Sequence, residues 1–335
     1  MIYAEENVAI INSIAKKITV TITCRGLPVG LPVGLPVGLP EGLPVGLPVG
    51  LPEGLPVGLP EGLPVGLPTG LPTGTPTQRP TGTPTVVLVH GFKGFRNWGF
   101  FPLAAQHLAD AGFCVVRVDT SMNGMNGTND RVVDIDAFAQ NTPTREIDDL
   151  HDLVEAMHTA PEFETLRAHW NGVVHFVGHS RGGGAIHVVG RERTDQGDTS
   201  SRYVMWNSIG HWARWTTRQR DHWLAAGSIE VENTRTQQKL RLDASLLHDI
   251  EQHADRLALH RAAESISDRA LYIHATGDLT VPLKEIEQLR STSASAGPLI
   301  TINGSTHSFG ITHPIDHVTT SFVDVLHHTV NFLSQ

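Results

Sequence analysis

The chain has 335 residues, a formal charge of −9 and two cysteines. That length holds one large domain or two medium ones. The acidic balance, without a long basic run, excludes a nucleic-acid binder; no stretch is long and apolar enough to span a membrane; and two cysteines make neither a disulfide framework nor a zinc-ligand set.

The N-terminal stretch carries Glu5 and Glu6 early and Lys16 and Lys17 late. A secretory signal needs the opposite order, so a cytoplasmic protein is expected. Residues 1–26 read as a short separate segment with one small strand, Ile18–Thr23. Residues 27–74 are a tandem array of LPVG, LPEG and LPTG, and a degenerate tail runs to Thr85. Proline at every fourth position fixes φ and removes a donor, and glycine adds freedom. Neither helix nor ladder-forming strand survives this pattern. Collagen needs glycine at every third residue and is excluded. Residues 27–85 are therefore expected to be a disordered linker of loose turns. The other readings are an elastin-like, self-associating or partner-binding tract, and a DNA repeat that lies upstream of the true start and is not translated.

From Val86 onward strands and helices alternate. VVLVH (86–90) reads as a strand and FPLAAQHLADAG (101–112) as a helix. FCVVRVD (113–119) is the next strand, with Cys114 a buried thiol. A helix follows over 141–158, then a strand over 173–178, a helix over 182–193 and a strand over 202–207. A strand at 270–278 precedes a helix at 283–290. The last strand is 298–304, and a helix over 315–333 ends the chain. This order predicts an α/β fold with a mostly parallel, doubly wound sheet. Such sheets carry their sites at the carboxyl ends of the strands.

After the strand VVHFV come Gly178-His179-Ser180-Arg181-Gly182. This is G-x-S-x-G between a strand and a helix, the context of a nucleophile elbow. The serine needs tiny neighbours two residues away on each side, and the following helix offers its positive end to an oxyanion. A phosphate-binding loop would need a lysine after the glycines, which is absent. A serine nucleophile needs a base and an orienting acid, in the order Ser, Asp or Glu, His. Asp278 follows the strand LYIHA, and His307 follows the last strand. A helix cap is the bland alternative for Asp278, and His307 is one of 19 histidines. His313 competes for the role of base but lies further from the strand end. An oxyanion hole needs two amide donors. Arg181 and Phe92, the latter in the His90-Gly91-Phe92 loop after the first strand, are the candidates.

HGF after the strand at 86–90, GHSRGG at the elbow, D-x-x-V-P at the acid and a late histidine together resemble the α/β-hydrolase superfamily. The long strings HGFKGFRNWGFFPLAAQHLADAGFCVVRVD, HSRGGG and STHSFG resemble a bacterial dienelactone-hydrolase-like branch. The resemblance covers about residues 86–335. It implies Ser180 as nucleophile, His307 as base, Asp278 as orienting acid and the Phe92 and Arg181 amides as oxyanion donors. It implies a small-molecule ester substrate and neither metal nor organic cofactor. Dienelactone hydrolases proper use cysteine where this chain has serine, which argues against that reaction itself. Members also begin with a β-hairpin before the HG strand, a region here largely occupied by the repeat.

The insertion over 208–265 reads as a lid, opening on WNSIGHWARWTTRQRDHW and helical and polar further on. Trp206, His211, Trp212 and Trp215 are candidates to line an acyl or aromatic pocket, against the alternative that they pack the lid onto the sheet. A serine esterase is the leading expectation. The alternatives are a peptidase or an acyltransferase on the same triad, or a non-enzymatic scaffold acting through the LPxG array.

Overall fold

Valine, isoleucine and leucine runs buried on both faces form the centre of an eight-stranded sheet. The computed structural model describes residues 3–25, 82–127 and 130–335. The described residues fall in one unit; a second unit, Gly30–Arg79, lies outside them, as does most of the repeat read as disordered.

In chain order the elements are β1 (Tyr3–Ile11), β2 (Lys17–Arg25), β3 (Thr83–Val89), α1 (Phe101–Asp110) and β4 (Cys114–Asp119). Then come α2 (Ile135–Ala139), α3 (Pro143–Thr159), α4 (Glu164–Arg167), β5 (Trp170–His179), α5 (Arg181–Asp195) and β6 (Tyr203–Trp206). The segment read as a lid holds α6 (Thr217–Ala226), β7 (Ser228–Asn233), β8 (Gln238–Asp243), α7 (Ser245–Gln252) and α8 (Leu259–Ser265). The chain ends with β9 (Ala270–Ala275), α9 (Leu283–Thr292), β10 (Leu299–Ile302) and α10 (Thr320–Leu333).

The sheet order is β1-β2-β4-β3-β5-β6-β9-β10. β3, β4, β5, β6, β9 and β10 are parallel, and the β1–β2 hairpin is joined antiparallel through β4. This meets the mostly parallel expectation and corrects two boundaries. Residues 3–25 are not a segment apart: Thr19 to Thr23 pair with Asp119 to Val115. Thr83 and Thr85, read as the tail of the repeat, already belong to β3 and pair with β5.

Helices cover both faces. On one face α3, α5, α8 and α9 pack against β2, Val87, Val89, Val116 and Met205. On the other, α1 and α10 pack against Val86, Leu88, Val115, Val204 and Trp206. Strand alternation makes this division, because successive side chains point to opposite faces.

Cys24 and Cys114 lie in the first of these cores and form a disulfide, with Cα atoms 4.6 Å apart. This corrects the reading of Cys114 as a free thiol. The register of β2 on β4 sets the two residues opposite each other, one step beyond the Thr23–Val115 pair.

The lid segment is not helical throughout. β7 and β8 form an antiparallel hairpin, and a small separate core holds it to α6, α7 and α2 through Trp223, Leu240, Leu242 and Phe138. Helix α6 starts with a capping box between Thr216 and Gln219 and ends at Gly227, whose φ of 75° turns the chain into β7.

Candidate active site

Ser180 sits between β5 and α5 with φ 58° and ψ −120°, a strained conformation for a residue with a side chain. The surrounding glycines make it possible. A Cβ on Gly178 would lie 2.5 Å from the Gly182 carbonyl oxygen, and one on Gly182 would lie 2.5 Å from the His90 carbonyl oxygen. Neither position tolerates a methyl group. The Ser180 amide donates to the Trp206 carbonyl at 2.9 Å and so fixes the turn to the end of β6. Arg181 is the first residue of α5, where a helix N–H has no acceptor within its own helix. The loop after β3 approaches from the other side: a Cβ on Gly91 would stand 2.8 Å from the Ser180 Cβ and 3.3 Å from its Oγ.

His307 Nδ1 donates to Asp278 Oδ2 at 2.7 Å. That tautomer leaves Nε2 as the acceptor nitrogen. Asp278 is buried, and its Oδ1 accepts from the amides of Thr280 and Val281, each at 2.8 Å. Burial alone pushes this carboxyl up; the hydrogen bond and charge of His307 and the two amides outweigh it and hold its pKa below the ordinary 3.8. Asp278 therefore stands ionised beside the imidazole at neutral pH.

The loop bearing His307 is anchored by two groups that sequence reasoning did not single out. Asn207 Nδ2 donates to the His307 carbonyl at 2.8 Å, and His179 Nε2 donates to the same oxygen at 2.9 Å. Burial, with His307 as a like-charge neighbour, pushes the His179 pKa down to about 3. The ring is thus neutral and serves as a fixed donor. Only its place beside the elbow serine hints at this in the sequence.

A cavity of about 610 Å³ opens above Ser180 and His307, within the range that holds small-molecule ligands. Phe92 and Arg181 line it, as do Trp212 and Trp215. The Arg181 side chain turns to Glu146, with Nε 2.8 Å from Oε2, and Asn141 Nδ2 donates to the other Glu146 oxygen at 2.7 Å. Trp215 stands edge-on to Trp223 at 5.0 Å, and Trp212 donates to the Leu257 carbonyl at 3.0 Å.

The other two pocket candidates lie elsewhere. Trp206 is fully buried on the α1–α10 side of the sheet, among Phe100, Phe309 and Phe322, and donates to Thr329 Oγ1 at 3.0 Å. It is not among the residues that line the cavity. His211 lines a second cavity of about 360 Å³ and stands 3.9 Å from Glu285. His313, the competitor for the base, accepts from the Gly99 amide at 2.9 Å and donates to Asp130 at 2.9 Å. Both of its nitrogens are engaged away from Ser180.

The cavity also takes lining residues that the sequence reading missed. Asn233 at the end of β7, with Thr234 and Arg235 in the turn that follows, forms part of its wall. The signal was present in SIEVEN and QKLRLD, where residues alternate between facing the small core and facing out.

No family model and no curated protein matches the chain. Solved structures do. Est1E from Butyrivibrio proteoclasticus is 12% identical with a TM-score of 0.53, and 98% of this chain and 99% of that one are covered. Dienelactone hydrolase from Anabaena variabilis is 14% identical with a TM-score of 0.51, covering 99% and 97%. Monoacylglycerol lipase from Paleococcus ferrophilus is 16% identical with a TM-score of 0.52, covering 75% and 95%. With a parallel sheet crossed by helices on both faces, an edge hairpin and a serine on the turn between β5 and α5, the chain has the α/β-hydrolase fold.

Proposed function

We propose that the protein is a serine hydrolase that cleaves carboxylic esters through an acyl-enzyme. The observation that carries this reading is the 2.7 Å bond from His307, which lines the same cavity as Ser180, to the buried Asp278 of a different loop. In the proposed reaction His307 Nε2 takes the proton of Ser180 Oγ as the oxygen attacks the acyl carbonyl. Asp278 holds the imidazole in the required tautomer and stabilises the imidazolium. The Phe92 and Arg181 amides receive the oxyanion. The close approach of Gly91 to Ser180 and the place of Arg181 at the start of α5 support that assignment. His307 then protonates the departing alcohol, and water, activated by the same nitrogen, releases the acid. Every step uses groups of the chain, the ester and water.

The test is labelling by a fluorophosphonate beside turnover of a p-nitrophenyl ester chain-length series, on wild type and Ser180→Ala. Labelling and turnover present in wild type and absent in the variant are expected. A wild-type protein that neither labels nor turns over any member of the series overturns the proposal and favours the scaffold reading. Esterases among the structural neighbours favour esters over peptides as the first substrates to test.

A further inference from the structure

We propose that the cavity takes esters that carry a carboxylate, and that Arg235 and Lys93 form the subsite for that group. This rests on the ester-hydrolase reading and specifies its substrate. The chain is acidic overall, at −9, yet the charged residues lining the cavity are Lys93, Arg181, Arg214 and Arg235, with no aspartate or glutamate among the described lining residues. A wall of one sign inside a protein of the other focuses potential on what binds there.

Two of the four cations are already matched. Arg181 pairs with Glu146 at 2.8 Å, and Arg214 pairs with Glu285 at 3.1 Å. The other two are not. Arg235 has no ion pair among the described residues, and its guanidinium lies over the Phe95 ring at 5.2 Å. Lys93 Nζ donates to the carbonyl of Glu232 at 3.0 Å and likewise forms no ion pair among the described residues. Both stand where the β7–β8 turn meets the loop after β3.

Burial works against the charge of both groups; Glu232, beside Lys93, and Asp130, beside Arg235, oppose that effect only in part. Asp130 is also held by His313. A ligand carboxylate would supply the missing partner. The guanidinium gives two parallel donors that match a carboxylate, and the ammonium adds a point charge. The cavity would then orient an ester with its scissile carbonyl at Ser180 and its anionic end under the hairpin turn.

The experiment uses the full chain and mono-p-nitrophenyl esters of succinate, glutarate, adipate and suberate, each compared with its methyl ester, with spontaneous hydrolysis subtracted. Fluorophosphonate labelling of Ser180 is read in parallel. For at least one chain length, wild type should favour the free acid over the methyl ester in kcat/KM by on the order of tenfold or more, the size expected of a charged hydrogen-bonded pair. Arg235→Gln should collapse that ratio and Arg235→Glu should invert it. Arg235 lies in a turn between strands, so these variants test the charge with little demand on the fold. A wild type that labels at Ser180 but shows no preference for any free acid overturns the subsite and leaves the hydrolase reading standing. A preference that survives Arg235→Gln also overturns it. A wild type that does not label at Ser180 overturns both.

Discussion

Asn207 ties three pieces of the site together with one buried amide. Its Nδ2 donates to the carbonyls of His307 and Thr306, at 2.8 and 3.3 Å, and its Oδ1 accepts from the Ala275 amide at 2.7 Å. The residue has φ 44°, a region that asparagine and aspartate tolerate better than most. Asn207→Asp therefore keeps the backbone and the acceptor while replacing a donor by an oxygen that faces two carbonyls. Loss of that bond in a buried place should lower stability by about 1–3 kcal/mol. Because the loop holds His307, kcat should fall more than KM rises. Denaturant melts and ester kinetics check both, and a variant with unchanged kcat would show that Asn207 does not position the base.

Acid should unfold the protein through histidines buried in their neutral form. Burial and the Arg202 charge lower the His175 pKa from 6.5 to about 4, and burial lowers that of His187 to about 4; His179 is at about 3. In the unfolded chain each takes a proton near its ordinary pKa, while in the fold each resists until far lower. Between pH 6.5 and about 4 the unfolded state therefore binds more protons, so stability falls as pH falls through that window. The three groups act in the same direction, so their losses add over that window. His175→Asn keeps an acceptor for the Arg202 amide, which His175 Nδ1 holds at 3.1 Å. The variant should flatten the decline, as read by chemical denaturation at stepped pH. A decline as steep as that of wild type would remove His175 from the account.

The glycines around Ser180 allow a sharper test. Gly182→Ala would set a methyl 2.5 Å from the His90 carbonyl oxygen and 2.6 Å from that of Val89. Neither atom is the end of a flexible side chain, so β3 and α5 must separate. Destabilisation of about 3 kcal/mol or more and loss of turnover are expected, whereas Ser180→Ala should lose turnover and keep its melting temperature. Matched melts of the two variants distinguish a structural glycine from a permissive one.

The sheet was legible because its parallel strands are continuous apolar runs bounded by turn residues. The residues now found near Ser180 were legible because each follows such a strand: Asp278 after β9 and His307 after β10. What escaped has physical causes. Trp206 ends a strand buried on both faces, so composition gives no hint of which face it takes. The partner of Cys24 lies 90 residues away, across a repeat that broke the local argument. The β7–β8 hairpin has charged outer positions and only a few inward apolar ones, a weak signal beside the tryptophan-rich stretch that precedes it.

The Cys24–Cys114 bond predicts that native protein has no titratable thiol and that the Cys24→Ala/Cys114→Ala double variant is less stable by about 2–4 kcal/mol. Disulfides persist mainly in oxidising compartments, so the bond weighs against the cytoplasmic placement suggested by the N-terminal charge order. Thiol titration under denaturing conditions, with and without reductant, measures it directly. Two free thiols in protein isolated from its native host would favour the cytoplasm.

The ends flanking the repeat require very little chain between them. β2 runs antiparallel to β4 and β3 runs parallel to it. Thr23 pairs with Val115 and Thr85 with Cys114, so the end of β2 and the start of β3 lie at the same end of the sheet, with β4 between them. Two strand spacings amount to about 10 Å, a gap that about three extended residues span. Replacing residues 27–79 by a short Gly/Ser linker, long enough to clear β4, should therefore leave the sheet, the disulfide and ester turnover in place. Stability should stay the same or rise slightly, since a shorter loop loses less entropy on closure. A shortened protein that folds but no longer turns over esters would give the LPxG array a part in the reaction. One that does not fold would show that the strand pairing of β2 depends on the array.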